Sequence, residues 1–142
     1  LLKISPCLSE EEMDLIIKNV LDYKIDGVII SNLLKDFSQI QPKTPLNQGG
    51  ISGKLLEPFN NKAIGDFYKK TKGKVPIIGL GGIFTAEDAY KKIKLGASMV
   101  QIYTGMVFEG PGVIKKIARR LAELAKKDGY TNIAQAVGAD WK

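Results

Sequence analysis

Four times in this chain an apolar run is followed by a helix-forming segment. The stretch Ile77-Ile78-Gly79-Leu80-Gly81-Gly82 states the pattern most sharply. A short run with no polar alternation reads as a strand buried on both sides, as in a parallel sheet. The glycines at its end allow a sharp turn and a close approach of backbone to a ligand. Thr85 with Asp88 then reads as a helix start, with Thr85 as N-cap. Strand, glycines and helix N-terminus together form a layout that binds phosphate, because free N–H groups converge there and the helix dipole favours an anion. The same layout also occurs in purely structural turns, so the remaining sequence has to decide.

Residues 1–5 read as a strand that Pro6 ends. Ser9 and Glu12 form a capping box. Behind it Met13, Ile16, Ile17, Val20 and Leu21 recur at helical spacing, to about Tyr23. Ile25-Asp26-Gly27 turns into a second apolar strand, Val28-Ile29-Ile30, which exits into Ser31-Asn32. Residues 33–59 form a long connection containing Pro42, Pro45, Gly49, Gly50, Gly53 and Pro58. A connection of that length is functional or disordered. Its segment Gly49-Gly50-Ile51-Ser52-Gly53-Lys54 suits close ligand approach or is a plain glycine-rich loop. Asn60 or Asn61 is the expected cap of the next helix, with Ala63, Ile64, Phe67 and Tyr68 inward and Gly73 as its end. After the Ile77 strand, a helix is expected over 86–95 and a strand over 97–103, which ends in Thr104-Gly105. Gly110-Pro111-Gly112 precedes a long amphipathic helix with Val113, Ile114, Ile117, Leu121 and Leu124 inward, ending near Gly129. A short terminal helix is expected over 132–137.

Strands alternating with helices imply parallel strands joined by right-handed crossovers. Four βα units could make a small doubly wound sheet or half of an eight-fold barrel. Three features favour the half barrel. Polar and glycine-rich residues gather at strand C-terminal ends (Lys3, Ser31-Asn32, Gly81-Gly82, Tyr103-Thr104), the face where barrel sites assemble. The last two strands both end in phosphate-suited turns, as the loops after strands seven and eight of a barrel do. The chain also opens abruptly on a strand, and a half barrel leaves two edges and an apolar inner face exposed. The expectation is therefore an α/β fold, the C-terminal half (four βα units) of a (β/α)8 TIM barrel, as one domain over 1–142 with no second domain.

Composition narrows the chemistry. There is no His among the 142 residues and a single Cys, Cys7. That removes an internal disulfide, the usual general base and most metal-ligand sets, and no metal site is expected. No apolar run reaches the roughly 20 residues that cross a bilayer. The first residue is Leu rather than Met, which suggests a piece of a longer protein. The net charge is +6. Lys-Lys and Arg-Arg pairs, including Lys91-Lys92, fall on predicted helices at the spacing of solvated faces. Aromatics are not interleaved with them, so nucleic acid is not an expected partner. An anionic ligand or an anionic membrane surface remains compatible with the charge.

Taken together, Lys3-Ile4-Ser5-Pro6, Ile25 to Asn32, Gly49-Gly50-Ile51-Ser52-Gly53, Val75 to Ile83, Gly96 to Gly105 and Ala136-Val137-Gly138-Ala139-Asp140 resemble the C-terminal half of the class 2 dihydroorotate dehydrogenases. The resemblance covers essentially the whole chain. The Gly-Gly-Ile-Ser-Gly loop with Gln-Ile-Tyr-Thr-Gly favours the quinone-using, membrane-associated class. It implies an FMN-containing barrel that oxidises dihydroorotate to orotate in pyrimidine synthesis and passes electrons to a quinone. By this resemblance Lys3 lies near the flavin pyrimidine edge, where a cation stabilises the anionic reduced ring. Ser31 meets the flavin, and Asn32 meets the orotate, with an amide that both donates and accepts. Ser52 and Gly53 lie at the ribityl-phosphate region with Leu56 nearby. Leu80, Gly81, Gly82, Ile102, Tyr103 and Thr104 line the phosphate and ribityl chain, largely through backbone N–H groups. The chain departs from the family pattern in two places. Leu33-Leu34 stands where Thr-Thr is usual, which removes a hydroxyl expected near flavin and substrate at Leu33, and Cys7 stands where Asp is frequent.

The resemblance also implies what lies elsewhere. The catalytic base, a Ser, is expected upstream of Leu1, in an N-terminal half that also carries the quinone- and membrane-contacting helices. The implied location is the mitochondrial inner membrane in a eukaryote or the cytoplasmic membrane in a bacterium. Without that half the chain is expected not to turn over. The competing readings are another FMN- or sugar-phosphate-binding βα barrel and a non-catalytic half-barrel module.

Overall fold

The computed structural model describes residues 1–35, 37 and 49–142. Pro42 and Pro45 of the expected connection lie outside the described residues. Four parallel strands, β1 (Leu2–Ile4), β2 (Val28–Ile30), β3 (Ile77–Leu80) and β4 (Met99–Gln101), pair in the order β1-β2-β3-β4. That order decides between the two architectures. A doubly wound sheet reverses direction at a switch point; here every strand is added beside its predecessor, as around a barrel wall.

The register assigns the two faces. Lys3, Ile29, Ile78 and Met99 are paired across the sheet and share one face, while Ile4, Ile30, Gly79 and Val100 share the other. Helices cover only the second face. Helix α1 (Glu10–Asp22) lays Met13, Ile17 and Val20 on it, and α2 (Glu57–Thr71) adds Ala63, Ile64 and Phe67. Helices α3 (Ala86–Lys94) and α5 (Gly112–Lys127) pack on each other and reach Val100. Among the described residues no helix covers the first face: Ile29 and Ile78 are half-buried and Met99 is 57% exposed. Strands without a polar face thus meet cover on one side only, the apolar inner wall expected of half a barrel.

Local chemistry starts the helices where the sequence indicated, with one exception. Ser9 caps α1 and Thr85 caps α3, each with a reciprocal capping box to Glu12 and Asp88. The exception is α2. It begins at Glu57, after a 3₁₀ turn at Lys54–Leu56, rather than at an Asn60 or Asn61 cap. Pro58 lies in its first turn, where the missing N–H costs nothing. Asn60 and Asn61 are therefore interior residues of the helix, and both are buried.

A short helix, α4 (Thr104–Glu109), stands where a turn was expected; no side chain caps it and Gly105 lies within it, so tertiary context rather than propensity forms it. Strand β4 is shorter than the expected 97–103. The terminal segment forms two 3₁₀ turns, Ile133–Ala136 capped by Asn132 and Ala139–Trp141. Lys92, read as part of a solvated face, is fully buried.

Candidate functional site

All four strands point their C-terminal ends at one cavity of about 360 Å³. Lys3 enters it from β1, on the uncovered face of the sheet. Ser31, Asn32 and Leu33 follow β2, and a cis peptide joins Ile30 to Ser31. Leu80, Gly81 and Gly82 end β3, and Ile102, Tyr103 and Thr104 follow β4. Ser52, Gly53 and Leu56 close the side nearest the long connection. Every residue that the resemblance assigns to cofactor or substrate lines this one cavity.

The closing loop is fastened at both ends. Leu34 and Ile51 exchange backbone hydrogen bonds of 3.0 and 2.7 Å, which pin the loop to the segment leaving β2. The Thr104 hydroxyl donates to Ser52 Oγ at 3.0 Å, which ties the loop to α4. Leu33, the departure from the family pattern, packs over Gly50: a Cβ there would come 2.7 Å from the Leu33 Cβ.

The β2 and β3 ends are held from α2. Fully buried Asn60 donates through Nδ2 to the Leu80 carbonyl and accepts at Oδ1 from the Ser31 hydroxyl. Ser31 N–H also donates to Leu80 O at 3.2 Å. The Ser31 proton is shared between two protein acceptors, Asn60 Oδ1 and the Asn32 carbonyl at 2.9 Å. Toward the cavity, therefore, the Ser31 hydroxyl has lone pairs to offer and no proton.

Glu57 presses on Gly82, whose positive φ of 71° and missing Cβ let the turn close: an added Cβ would lie 2.6 Å from Glu57 Cβ. Behind the turn lies a charged cluster. Lys54 Nζ is 2.5 Å from Asp88 Oδ1 and 2.7 Å from Glu57 Oε2. Burial opposes the charge on Asp88, but hydrogen bonds from Lys54 and from the N–H groups of Phe84 and Thr85 outweigh it, and the carboxyl is held below its usual range. Lys92 Nζ donates to Asn61 Oδ1 at 2.7 Å, and burial pushes that amine down to about 8.

At the opposite wall, α4 begins at Thr104. The N–H groups of Thr104 and Gly105 have no acceptor within the helix, and both residues line the cavity. Lys3 is the cavity's charged side chain. Acceptors at the β2 end, a cation at β1 and backbone donors at β4 suit a ligand with a polar ring at one end and an anion at the other.

Sequence reasoning missed Ile83, Gln101 and Gly105, which also line the cavity. Gln101 carried a signal of its own, as a polar residue near the C-terminal end of an otherwise apolar strand; the structure pairs it with Leu80. Gly105 is needed because a Cβ there would lie 2.1 Å from Ile83 O. Asn60 carried a weaker signal: Asn is a poor residue for a helix interior, so two in a row implied tertiary partners.

Half of a βα barrel with a cofactor-sized pocket at its strand ends defines the broad class. The chain belongs to the dihydroorotate dehydrogenase family, which it matches over residues 1–125. It is 44% identical over 142 residues to the dihydroorotate dehydrogenase (quinone) of Sulfurimonas denitrificans, covering 100% of this chain and 40% of that protein. It is 42% identical over 144 residues to the mitochondrial dihydroorotate dehydrogenase (quinone) of Oryza sativa subsp. japonica, covering 100% of this chain and 31% of that protein. The crystal structure of ligand-free type DHODH from Eimeria tenella superposes with a TM-score of 0.91 at 36% identity, over 99% of this chain and 39% of that one. The chain thus spans 40% or less of the length of these relatives.

Proposed function

We propose that this chain is the C-terminal half of the barrel of an FMN-dependent, quinone-linked dihydroorotate dehydrogenase, oxidising dihydroorotate to orotate in pyrimidine synthesis. In this reading it supplies the phosphate end of the cofactor pocket and part of the orotate site. The base and the quinone- and membrane-contacting segment belong to the other half of the enzyme. The enzyme is membrane-associated, at the mitochondrial inner membrane or a bacterial cytoplasmic membrane.

The single observation that carries the reading is the convergence of Lys3, Asn32, Ser52, Gly82 and Thr104, from five separate stretches of sequence, on one cavity. The donor set fits FMN. The N–H groups of Thr104 and Gly105, which have no acceptor within α4, suit a phosphate, apolar Leu56, Leu80 and Ile102 suit a ring and ribityl chain, and Lys3 suits a ring edge that gains negative charge. Bound there, FMN supplies two-electron redox chemistry. The chain's own residues bind and orient: Asn32 presents an amide to the orotate ring, and Leu33 excludes water where a hydroxyl is usual.

The test is a titration with FMN and riboflavin followed by flavin fluorescence, then thermal melts with orotate. FMN is expected to bind at least about tenfold more tightly than riboflavin, because charge-assisted contacts to the phosphate are lost in riboflavin. Orotate is expected to raise the melting temperature further. FMN protection without orotate protection would favour another FMN-binding barrel. Absence of flavin binding together with a defined dimer would favour a non-catalytic module.

A further inference from the structure

Leu56, Asn60, Ile64 and Phe67 recur at helical spacing along α2 and the turn that leads into it, and all four are buried. Three are apolar. Asn60 interrupts the stripe at full burial, between Leu56, which lines the pocket, and the core residues Ile64 and Phe67. An amide there costs free energy unless both its ends are partnered. A leucine would fill the site without that demand. The neighbouring Asn61 is committed elsewhere: it accepts from Lys92 and donates to Glu57 Oε1 at 3.4 Å.

The partners of Asn60 form a relay that runs one way. The Leu80 carbonyl can only accept, so it turns the amide until Nδ2 faces it. That leaves Oδ1, which also can only accept, against the Ser31 hydroxyl. The hydroxyl must then donate, away from the pocket that Ser31 lines. Gly81 makes room for this, because a Cβ there would overlap Asn60 Nδ2. The Asn32 carbonyl, at 2.9 Å, shares the same proton, but it belongs to the adjacent residue. Asn60 is 29 residues away and ties the hydroxyl to α2. An untied serine hydroxyl would accept from an N–H or donate to a carbonyl equally well.

We propose that Asn60 is a positioning residue, which holds the Ser31 hydroxyl as an acceptor so that the β2 end of the pocket selects a ring N–H of the ligand. The selection rests on the pocket's being the FMN and orotate site proposed above. Flavin and orotate each carry a ring N–H between two carbonyls, and Lys3 of the neighbouring strand offers a donor for a carbonyl. A site fixed in one polarity rejects the other, because a lone pair set against a lone pair leaves both unpaired.

The experiment compares the full chain with Asn60→Leu, Ser31→Ala and the double variant, each titrated with FMN and with FMN methylated at the ring N–H. Methylation removes the N–H and adds the same bulk in every variant. The ratio of the two dissociation constants is expected to fall about fivefold in Asn60→Leu and in Ser31→Ala, with no further fall in the double variant. A parallel arm sets orotate against its two N-methyl derivatives in thermal melts with FMN present; the arm that loses discrimination identifies the ring that meets Ser31. An Asn60 that only holds the fold together would weaken both members of each pair alike, and unchanged ratios in both arms overturn the proposal. If Asn60→Leu does not fold, Asn60→Ala carries the same comparison. A ligand-free arm separates the relay from the reading of the pocket. Proton NMR of the wild type is expected to show a slowly exchanging Ser31 hydroxyl proton beside the Asn60 amide, lost in Asn60→Leu. Its absence from the wild type overturns the relay. Its presence without flavin or orotate binding overturns the selection of a ring N–H, while the positioning of Ser31 by Asn60 stands.

Discussion

The two faces of the one sheet have opposite characters. On the covered face most strand residues meet side chains of helices, and Val28, Ile30, Ile64, Phe67 and Ile77 are all completely enclosed. On the other, Lys3 and Met99 are exposed and Ile29 and Ile78 only half-buried. The strands are the same and the residues alternate within them, so strand chemistry does not cause the difference. Helix cover does. The lesson is that the covered face carries stability while the uncovered face is available for ligand and for whatever packs against it. Substitutions can separate these roles.

Phe67→Ala should have the largest effect. It truncates a fully enclosed ring, and the expected loss is about 3–5 kcal/mol in denaturant unfolding. A loss below about 1 kcal/mol would mean that the covered face is not the stabilising one.

Lys92 comes next, and its effect shows in pH. The amine has a folded pKa of about 8 against an ordinary 10.5. Below pH 8 it is protonated whether folded or not, and the cost of burying the charge is fully present. Between pH 8 and 10.5 the unfolded chain holds more protons, so stability rises with pH, by about 3 kcal/mol in all. Tyr90, pushed up to about 12, is still protonated in the folded chain across that window; its effect, a loss of stability, sets in above pH 10. Lys92→Met should flatten the rise between pH 8 and 10. A rise that survives the substitution would show that Lys92 is not its source.

Gly82→Ala should cost about 2 kcal/mol through the left-handed backbone and the clash with Glu57, and should weaken FMN binding. Gly110→Ala sharpens the point. Its φ is +75° but nothing lies within 4 Å of the added Cβ, so only the conformational cost of about 1 kcal/mol applies and FMN binding should be unchanged. Met99→Ala, on the uncovered face, should have the smallest effect, within about 0.5 kcal/mol. A larger loss would indicate that the inner face is packed in solution.

Where physical cause is local, the sequence was a good guide. Ser9 and Thr85 announce their helices through capping boxes, and the glycines after Leu80 announce a close approach. Most positions lining the cavity were legible because they lie at or just after a strand's C-terminal end; Ser52, Gly53 and Leu56, at the end of the long connection, were legible only through the family resemblance. Local signals are shared by a doubly wound sheet and a barrel, so strand order was legible only through the gathering of polar and glycine-rich residues at strand C-terminal ends, which pointed to the half barrel that the order β1-β2-β3-β4 fits. The burial of Lys92 was hidden by its neighbour: Lys91-Lys92 reads as a solvated pair, yet only Lys91 faces out, and Asn61 of α2 supplies the partner that makes burial of Lys92 tolerable. Asn60 was taken for a cap because its partners, Ser31 and Leu80, are 29 and 20 residues away. Helix α4 has no local signal at all.

The order β1-β2-β3-β4 also bears on how the chain acquires its shape. Each of β2, β3 and β4 pairs with the described strand made just before it, so within this sheet none of them waits for a partner synthesised much later. Loop-closure entropy is then met one βα unit at a time. Assembly can proceed in the direction of synthesis, each new strand zipping onto a finished edge. The slowest closure should be the one from β2 to β3, which spans the long connection and carries Ser52 and Gly53 to the cavity last.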